Sequence, residues 1–262
     1  MFYIIILKIQ FYYLEFISRY YYSSRFFYQI YIRQSYQKNC KRILFEKHNK
    51  LYNDLVIIIS EFNFEEKDSL TFWGDSLFLL NFYLNKKPKY TLELGSGSSS
   101  LTLAYGAMLI KKKYRINSYI YSIDENEKYL KEVVIQKFPD YLNEFINFSY
   151  SKTILNEYDG NLGISFKAIP NVKFDFAYVD GPQFKPNVYN NSKYSYEEKT
   201  ISNLSKKPFN ADIIDILKKS KNLVVVIDQR ISTVWTIIKL TKNKIKSKKY
   251  YFAPKKTVIF YK

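Results

Sequence analysis

Three places in the chain end an apolar run in a carboxylate and follow it with a turn. They read Leu92-Glu93-Leu94-Gly95-Ser96-Gly97-Ser98-Ser99, Tyr121-Ser122-Ile123-Asp124 and Phe176-Ala177-Tyr178-Val179-Asp180-Gly181-Pro182. An acid at the carboxyl end of a strand can accept two hydrogen bonds from neighbouring ribose hydroxyls, or take a proton from a reacting hydroxyl. A glycine turn that opens a helix lets the backbone approach a ligand and offers free N–H groups. Glycine is scarce, with seven in 262 residues, yet Gly95, Gly97 and Gly181 fall in these turns. A fourth apolar run ends in Asp228-Gln229-Arg230. Oxygen ligands from Asp180, Asp228 and Gln229 would suit Mg²⁺, and Arg230 could meet an anionic substrate group.

The elements that must position these residues follow from the apolar pattern. Strands are expected at Tyr90–Leu94, Tyr119–Ile123, Phe145–Tyr150, Phe174–Val179 and Leu223–Ile227. Runs such as FDFAYV and LVVVI are almost continuously apolar, as in strands covered on both faces. Helices are expected between them: one with an apolar face of Leu101, Ala104, Tyr105, Met108 and Leu109, N-capped by Ser98 to Ser100; one at Glu127–Lys137; one at Ala211–Lys219; and one at Ser232–Leu240. Lys111 to Asn117 reads as an extra loop before the second strand. Tyr250–Phe252 and Thr257–Tyr261 read as a terminal antiparallel pair turning near Pro254. Alternating strands and helices predict an α/β, doubly wound, Rossmann-like domain over residues 87–262. Residues 1–86 have no proline and only Gly74 to break a helix, so they read as a helical extension. Its faces are Leu51, Leu55, Ile58, Ile59 and Phe62, and Leu77, Leu80 and Leu84.

The Glu-x-Gly-x-Gly turn, with Asp124 and the Val-Asp-Gly segment behind it, resembles class I S-adenosylmethionine-dependent methyltransferases, in their O-methyltransferase-like branch. The resemblance covers about the last two-thirds of the chain. Ser99 stands where the family pattern has a third glycine. The resemblance implies a seven-stranded mixed sheet of order 3-2-1-4-5-7-6, with the last hairpin antiparallel. It implies a cofactor, S-adenosylmethionine, held by Glu93, Gly95, Ser96, Gly97 and Asp124, with Glu125 as the ribose acid if the register shifts by one. It places Asp180 at the transfer centre as the catalytic residue. Metal-dependent members carry Asp-Asn where this chain has Asp228-Gln229, so Mg²⁺ is admitted but not favoured. The expected acceptor is a small-molecule or glycan-type hydroxyl, and the long polar segment Gln183–Asn210 is assigned to substrate binding and closure. Two alternatives stand beside this reading. One is an NAD-dependent Rossmann oxidoreductase, although Ser100 occupies its third glycine position. The other is a non-catalytic, membrane-associated binding module that keeps the fold.

Bulk properties narrow the partners. Forty-one basic against 24 acidic residues leave a net charge of +17, which attracts nucleic acid, anionic lipid or acidic substrates. A preference for residues with A/T-rich codons would produce the same excess, and no nucleic-acid-binding motif is present. Cys40 and His48 are the only residues of their types, so an intrachain disulfide and a Cys/His metal site are excluded. The lone cysteine is compatible with a reducing, cytoplasmic compartment. Residues 1–45 are rich in aromatics and arginine but contain no apolar run long enough to span a bilayer. They are expected to form a helix that touches a membrane surface or a partner chain without crossing.

Overall fold

The computed structural model describes residues 5, 9, 53–55, 57–59, 70–182, 208–220, 222–228, 230–242, 244–250 and 253–261. The expected N-terminal segment 1–45 lies outside these residues apart from Ile5 and Ile9, as do Leu51, Phe62, Cys40, His48, Gln229 and 183–207. No helix among the described residues is long and apolar enough to cross a membrane.

Helix α1 (Leu70–Lys86) leads into strand β1 (Tyr90–Leu94), helix α2 (Ser98–Tyr114) and strand β2 (Tyr119–Asp124). A short helix α3 (Glu127–Tyr129) widens into a π-helical stretch at Leu130–Ile135, and a 3₁₀ turn (Asp140–Phe145) precedes β3 (Ile146–Tyr150). The hairpin β4 (Thr153–Tyr158) and β5 (Asn161–Phe166) comes next, then β6 (Phe176–Val179) and β7 (Phe209–Asn210). Helix α4 (Asp212–Lys219), β8 (Val224–Asp228), α5 (Ile231–Leu240), β9 (Ile245–Tyr250) and β10 (Ala253–Tyr261) complete the order.

The main sheet runs β3-β2-β1-β6-β8-β10-β9. Its first five strands are parallel, and β10 is antiparallel to both β8 and β9. Renumbered within the sheet, this is the expected 3-2-1-4-5-7-6. The sheet is Rossmann-like. From β1 the chain builds outward through β2 and β3, then crosses to β6 on the other side. The strand order therefore reverses between β1 and β6, where open α/β sheets form their ligand crevice.

Two apolar layers cover the sheet. One joins Leu77, Leu80 and Tyr83 of α1 and Leu101, Leu103, Ala104 and Ala107 of α2 to Ile120 and Phe176. Leu55, Ile58 and Ile59 belong to the same layer. Tyr83 also pins α1 to the strands, its hydroxyl lying 3.0 Å from Thr91 Oγ1 and 2.9 Å from Ser118 Oγ. The other layer sets Ile213, Ile216 and Leu217 of α4 and Ile237 of α5 against Leu92, Val179, Val225 and Ile227.

Several expectations need correcting. Lys111 to Tyr114 are helical, so the long interval between Gly97 and Asp124 is mostly helix; the lysines suit the negative end of the helix dipole. The terminal hairpin starts earlier, at Ile245, and Pro254 lies inside β10. Lys246, Lys248 and Lys249 disguise β9, and charge of this kind is usual on an edge strand. Helix 127–137 is interrupted by a wider, π-helical stretch at Leu130–Ile135. A second sheet, β4-β5-β7, was not expected. Its hairpin turns on Asp159-Gly160, with φ of 49° and 71°, the positive values that a two-residue turn demands.

Gly95 has φ of 94°, and a Cβ there would stand 2.6 Å from Gly181 N and 2.9 Å from Asp180 C. At Gly160 the backbone is also left-handed, but nothing lies within 4 Å. Gly95→Ala is therefore expected to cost more than about 3 kcal/mol, from overpacking added to backbone strain. Gly160→Ala should cost about 1 kcal/mol, from strain alone. Urea unfolding of the two variants checks this, and equal losses would refute the contact argument.

Candidate functional site

The carboxyl ends of β1, β2 and β6 meet at one point. Gly95 N donates to Ile123 O at 2.8 Å, while Asp180 N and Gly181 N both donate to Leu94 O, at 2.8 and 2.6 Å. A Cβ on Gly181 would stand 2.7 Å from Gly95 Cα. Two glycine backbones thus close the floor of the crevice where the strand order reverses. Gly95 is needed for this contact between chain segments. Gly97 is extended, and a Cβ there would meet only Tyr129 Oη, at 3.5 Å.

Glu93 lies beneath the turn with no exposed surface. Ser99 Oγ donates to its Oε1 at 2.6 Å; Ser100 Oγ and Ser122 Oγ donate to its Oε2 at 2.5 and 2.6 Å. With the Ser122 proton committed to Glu93, Ser96 Oγ must donate to Ser122 Oγ across their 2.7 Å contact. Ser100 Oγ also accepts from Gly97 N at 3.0 Å. The serines were expected to cap α2 directly. Instead Gly97 holds the cap position and Ser100 reaches back to it, while binding the acid below. Burial pushes the Glu93 carboxyl up to about 7, against the three hydroxyls that pull it down, and the charge of Asp180 adds a smaller upward push.

Asp124 is buried at the end of β2. Its Oδ2 accepts from Ser96 N at 2.9 Å and its Oδ1 from Asn126 N at 2.8 Å. One carboxylate therefore joins the turn after β1 to the turn after β2. Glu125, the next residue, is half-buried.

Across the crevice Asp180 directly follows β6, half-exposed. Arg230, which precedes α5, reaches it: Nη2 is 3.9 Å from Asp180 Oδ1 and donates to the Asp180 carbonyl, and Nη1 donates to Pro182 O at 3.3 Å. Asp228 is buried at the end of β8. No group of three acids, histidines or cysteines able to hold a metal occurs among the described residues.

The expected residues thus form two clusters. Glu93, Ser96, Gly97 and Asp124 stand on the β1–β2 side, Asp180 and Arg230 on the β6–β8 side, and Gly95 and Gly181 join them. Sequence reasoning missed the hydroxyl partners Ser99, Ser100 and Ser122 of Glu93. It missed Thr233, and it put Asn210 at the end of the segment assigned to substrate binding, whereas Asn210 is a buried residue of β7. Asn210 Nδ2 donates to Gly181 O at 2.7 Å and to Pro182 O at 3.2 Å. Alternation could have flagged Ser122 as the inward polar residue of β2, but no local pattern marks Asn210.

No family model matches the chain, and no curated protein matches it. Among solved structures it is similar to a methyltransferase from Geobacter sulfurreducens, at 12% identity over 80% of this chain and 88% of that one, with a TM-score of 0.43. It is similar also to a putative caffeoyl-CoA O-methyltransferase from Staphylococcus aureus, at 11% identity over 85% and 99%, with a TM-score of 0.45. A third, described as cmcI-N160 SAH, shares 13% identity over 64% and 63%, with a TM-score of 0.28. The fold rests on the strand order itself.

A buried acid whose folded value lies above its unfolded one binds more protons when folded. Its contribution to stability is present below about 4.5 and is lost as pH rises through about 7. Glu93→Gln should flatten the stability-against-pH curve between these values relative to the unmodified protein. Chemical unfolding across that range is the check, and parallel curves would show that Glu93 does not titrate there.

Proposed function

We propose that the chain is a class I S-adenosylmethionine-dependent methyltransferase acting on a small-molecule or glycan-type hydroxyl. One observation carries this reading: the Ser96 amide bonded to Asp124 at 2.9 Å. It couples the glycine turn to the acid that ends β2, beside the reversal of strand order where ligands of such sheets bind. Asp124 suits a ribose, because an acid at the carboxyl end of this strand is placed to accept from ribose hydroxyls. Gly97 and the N-terminus of α2 suit a close, electron-rich ligand group, since the turn carries no side chain there and the helix dipole is positive. Glu93, fully enclosed, acts through the hydroxyls of the turn it holds.

When bound, S-adenosylmethionine supplies a methyl group on a sulfonium, already activated for in-line displacement. The chain's part is orientation and proton transfer. Asp180 takes the hydroxyl proton of the acceptor, and Arg230 holds the turn that carries it. A guanidinium beside Asp180 does not fit a divalent cation shared with Asp228, so the mechanism proceeds without a metal. Residues 1–45 would add a peripheral membrane or partner contact, and residues 87–262 would form the catalytic domain.

Calorimetry with S-adenosylmethionine, S-adenosylhomocysteine and NAD is the test. Binding of the first two is expected, with Asp124→Ala weakening it about 10- to 100-fold, as for two hydrogen bonds to a charged group. Binding of NAD alone would overturn the reading in favour of an oxidoreductase, and binding of none would leave a non-catalytic copy of the fold. Asp180→Asn should keep cofactor affinity within about threefold, under 1 kcal/mol, and lose transfer to hydroxyl acceptors in a radiolabelled-methyl assay. Transfer at an undiminished rate would reduce Asp180 to a structural residue.

A further inference from the structure

The turn that carries Asp180 is held from a second direction, by residues distant in the chain. Asn210, on β7 of the small sheet, donates its side-chain amide to the carbonyls of Gly181 and Pro182, at 2.7 and 3.2 Å across 29 and 28 residues of sequence. Asn210 is in turn fixed by Thr233 of α5. Its backbone N donates to Thr233 Oγ1 at 3.1 Å, and Thr233 Oγ1 donates to Asn210 Oδ1 at 3.0 Å. The hydroxyl is acceptor and donor at once, and a flip of the Asn210 side-chain amide would lose its bond from Thr233 and both of its bonds to the Gly181 and Pro182 carbonyls. Asn210 and Thr233 are each 1% exposed. Losing a partner there would strand buried polar groups, at about 1–3 kcal/mol each. Arg230, three residues before Thr233, meets the same turn through the carbonyls of Asp180 and Pro182. From the opposite side, Leu94 O holds the amides of Asp180 and Gly181.

These bonds end on the main chain of residues 180–182 or join Asn210 to Thr233. Arg230 Nη2 also approaches the Asp180 carboxylate, 3.9 Å from Oδ1. The arrangement fixes the backbone under that carboxylate while leaving the carboxylate half open. We infer that Asn210 and Thr233 are positioning residues for Asp180: a latch between β7 and α5 that sets where its carboxylate stands in the crevice. The inference rests on the methyltransferase reading only in giving Asp180 a chemical role; the latch itself is independent of it.

The test uses the full chain with Asn210→Ala, Thr233→Val and Thr233→Ser. The carboxyl-carbon resonance of Asp180, identified by its loss in Asp180→Asn, is expected to move in the first two and to return to its original position in Thr233→Ser, which keeps the hydroxyl. Amide exchange at Gly181 and Asn210 should quicken about tenfold in Thr233→Val, the effect of a bond worth roughly 1.4 kcal/mol, and recover in Thr233→Ser. Affinity for S-adenosylmethionine should stay within about threefold in all three, under 1 kcal/mol. An unmoved Asp180 resonance in folded Asn210→Ala and Thr233→Val would overturn the inference. So would a tenfold loss of cofactor affinity in both, which would place the latch in the cofactor pocket instead. If Asn210→Ala does not fold, the Thr233→Val and Thr233→Ser pair decides. If the unmodified chain binds no S-adenosylmethionine, the methyltransferase reading fails, and the resonance and exchange measurements still judge the latch.

Discussion

The crevice depends on two backbones touching. Gly95 and Gly181 approach so closely that neither has room for a Cβ, and the Leu94 carbonyl between them accepts from two amides of the facing turn. This contact lets β1 and β6 end at the same level, so that the reversal of strand order produces a shared floor rather than two separated loops. The acids at the ends of β1, β2 and β6 owe their proximity to that floor. A wider residue in either turn would push the β6 exit away from β1 and take Asp180 with it.

Above the floor, the polar interior is arranged around Glu93. Enclosing a carboxylate in an apolar layer is costly unless its oxygens are satisfied. Here three serine hydroxyls satisfy them, two from the start of α2 and one from β2. The same hydroxyls order the turn, because Ser100 also accepts from Gly97 N and Ser122 receives Ser96. The buried acid therefore organises a loop that it does not belong to. Asp124 does the corresponding work one strand away, through backbone amides.

Much of this was legible in the sequence because parallel strands covered on both faces cannot hide. β1, β2, β6 and β8 each read as a short apolar run ended by an acid, and the structure places those acids at the carboxyl ends as expected. What escaped notice did so for physical reasons. β9 carries lysines because an edge strand faces water. β4 mixes polar and apolar residues, and its signal lay in the Asp159-Gly160 turn rather than in hydrophobicity. β7 is two residues long and exists through its pairing with β5, which no local pattern can report. Asn210 and Thr233 are ordinary polar residues until the fold brings them to Gly181. Pairing at long range is decided by the whole chain, and a window of ten residues does not contain it.

The small sheet gives the two sides of the crevice different histories during synthesis. A chain emerging from its amino end has β1, β2 and the serines around Glu93 early, and β6 can dock on β1 as soon as it appears. The support under Asp180 from Asn210 and Thr233 arrives only after another 28 residues and 23 more, and closing such separations is slow compared with forming neighbouring contacts. The β1–β2 side is therefore complete while the opposite side still waits for its last helix, and a chain that stops short of α5 would carry half a crevice.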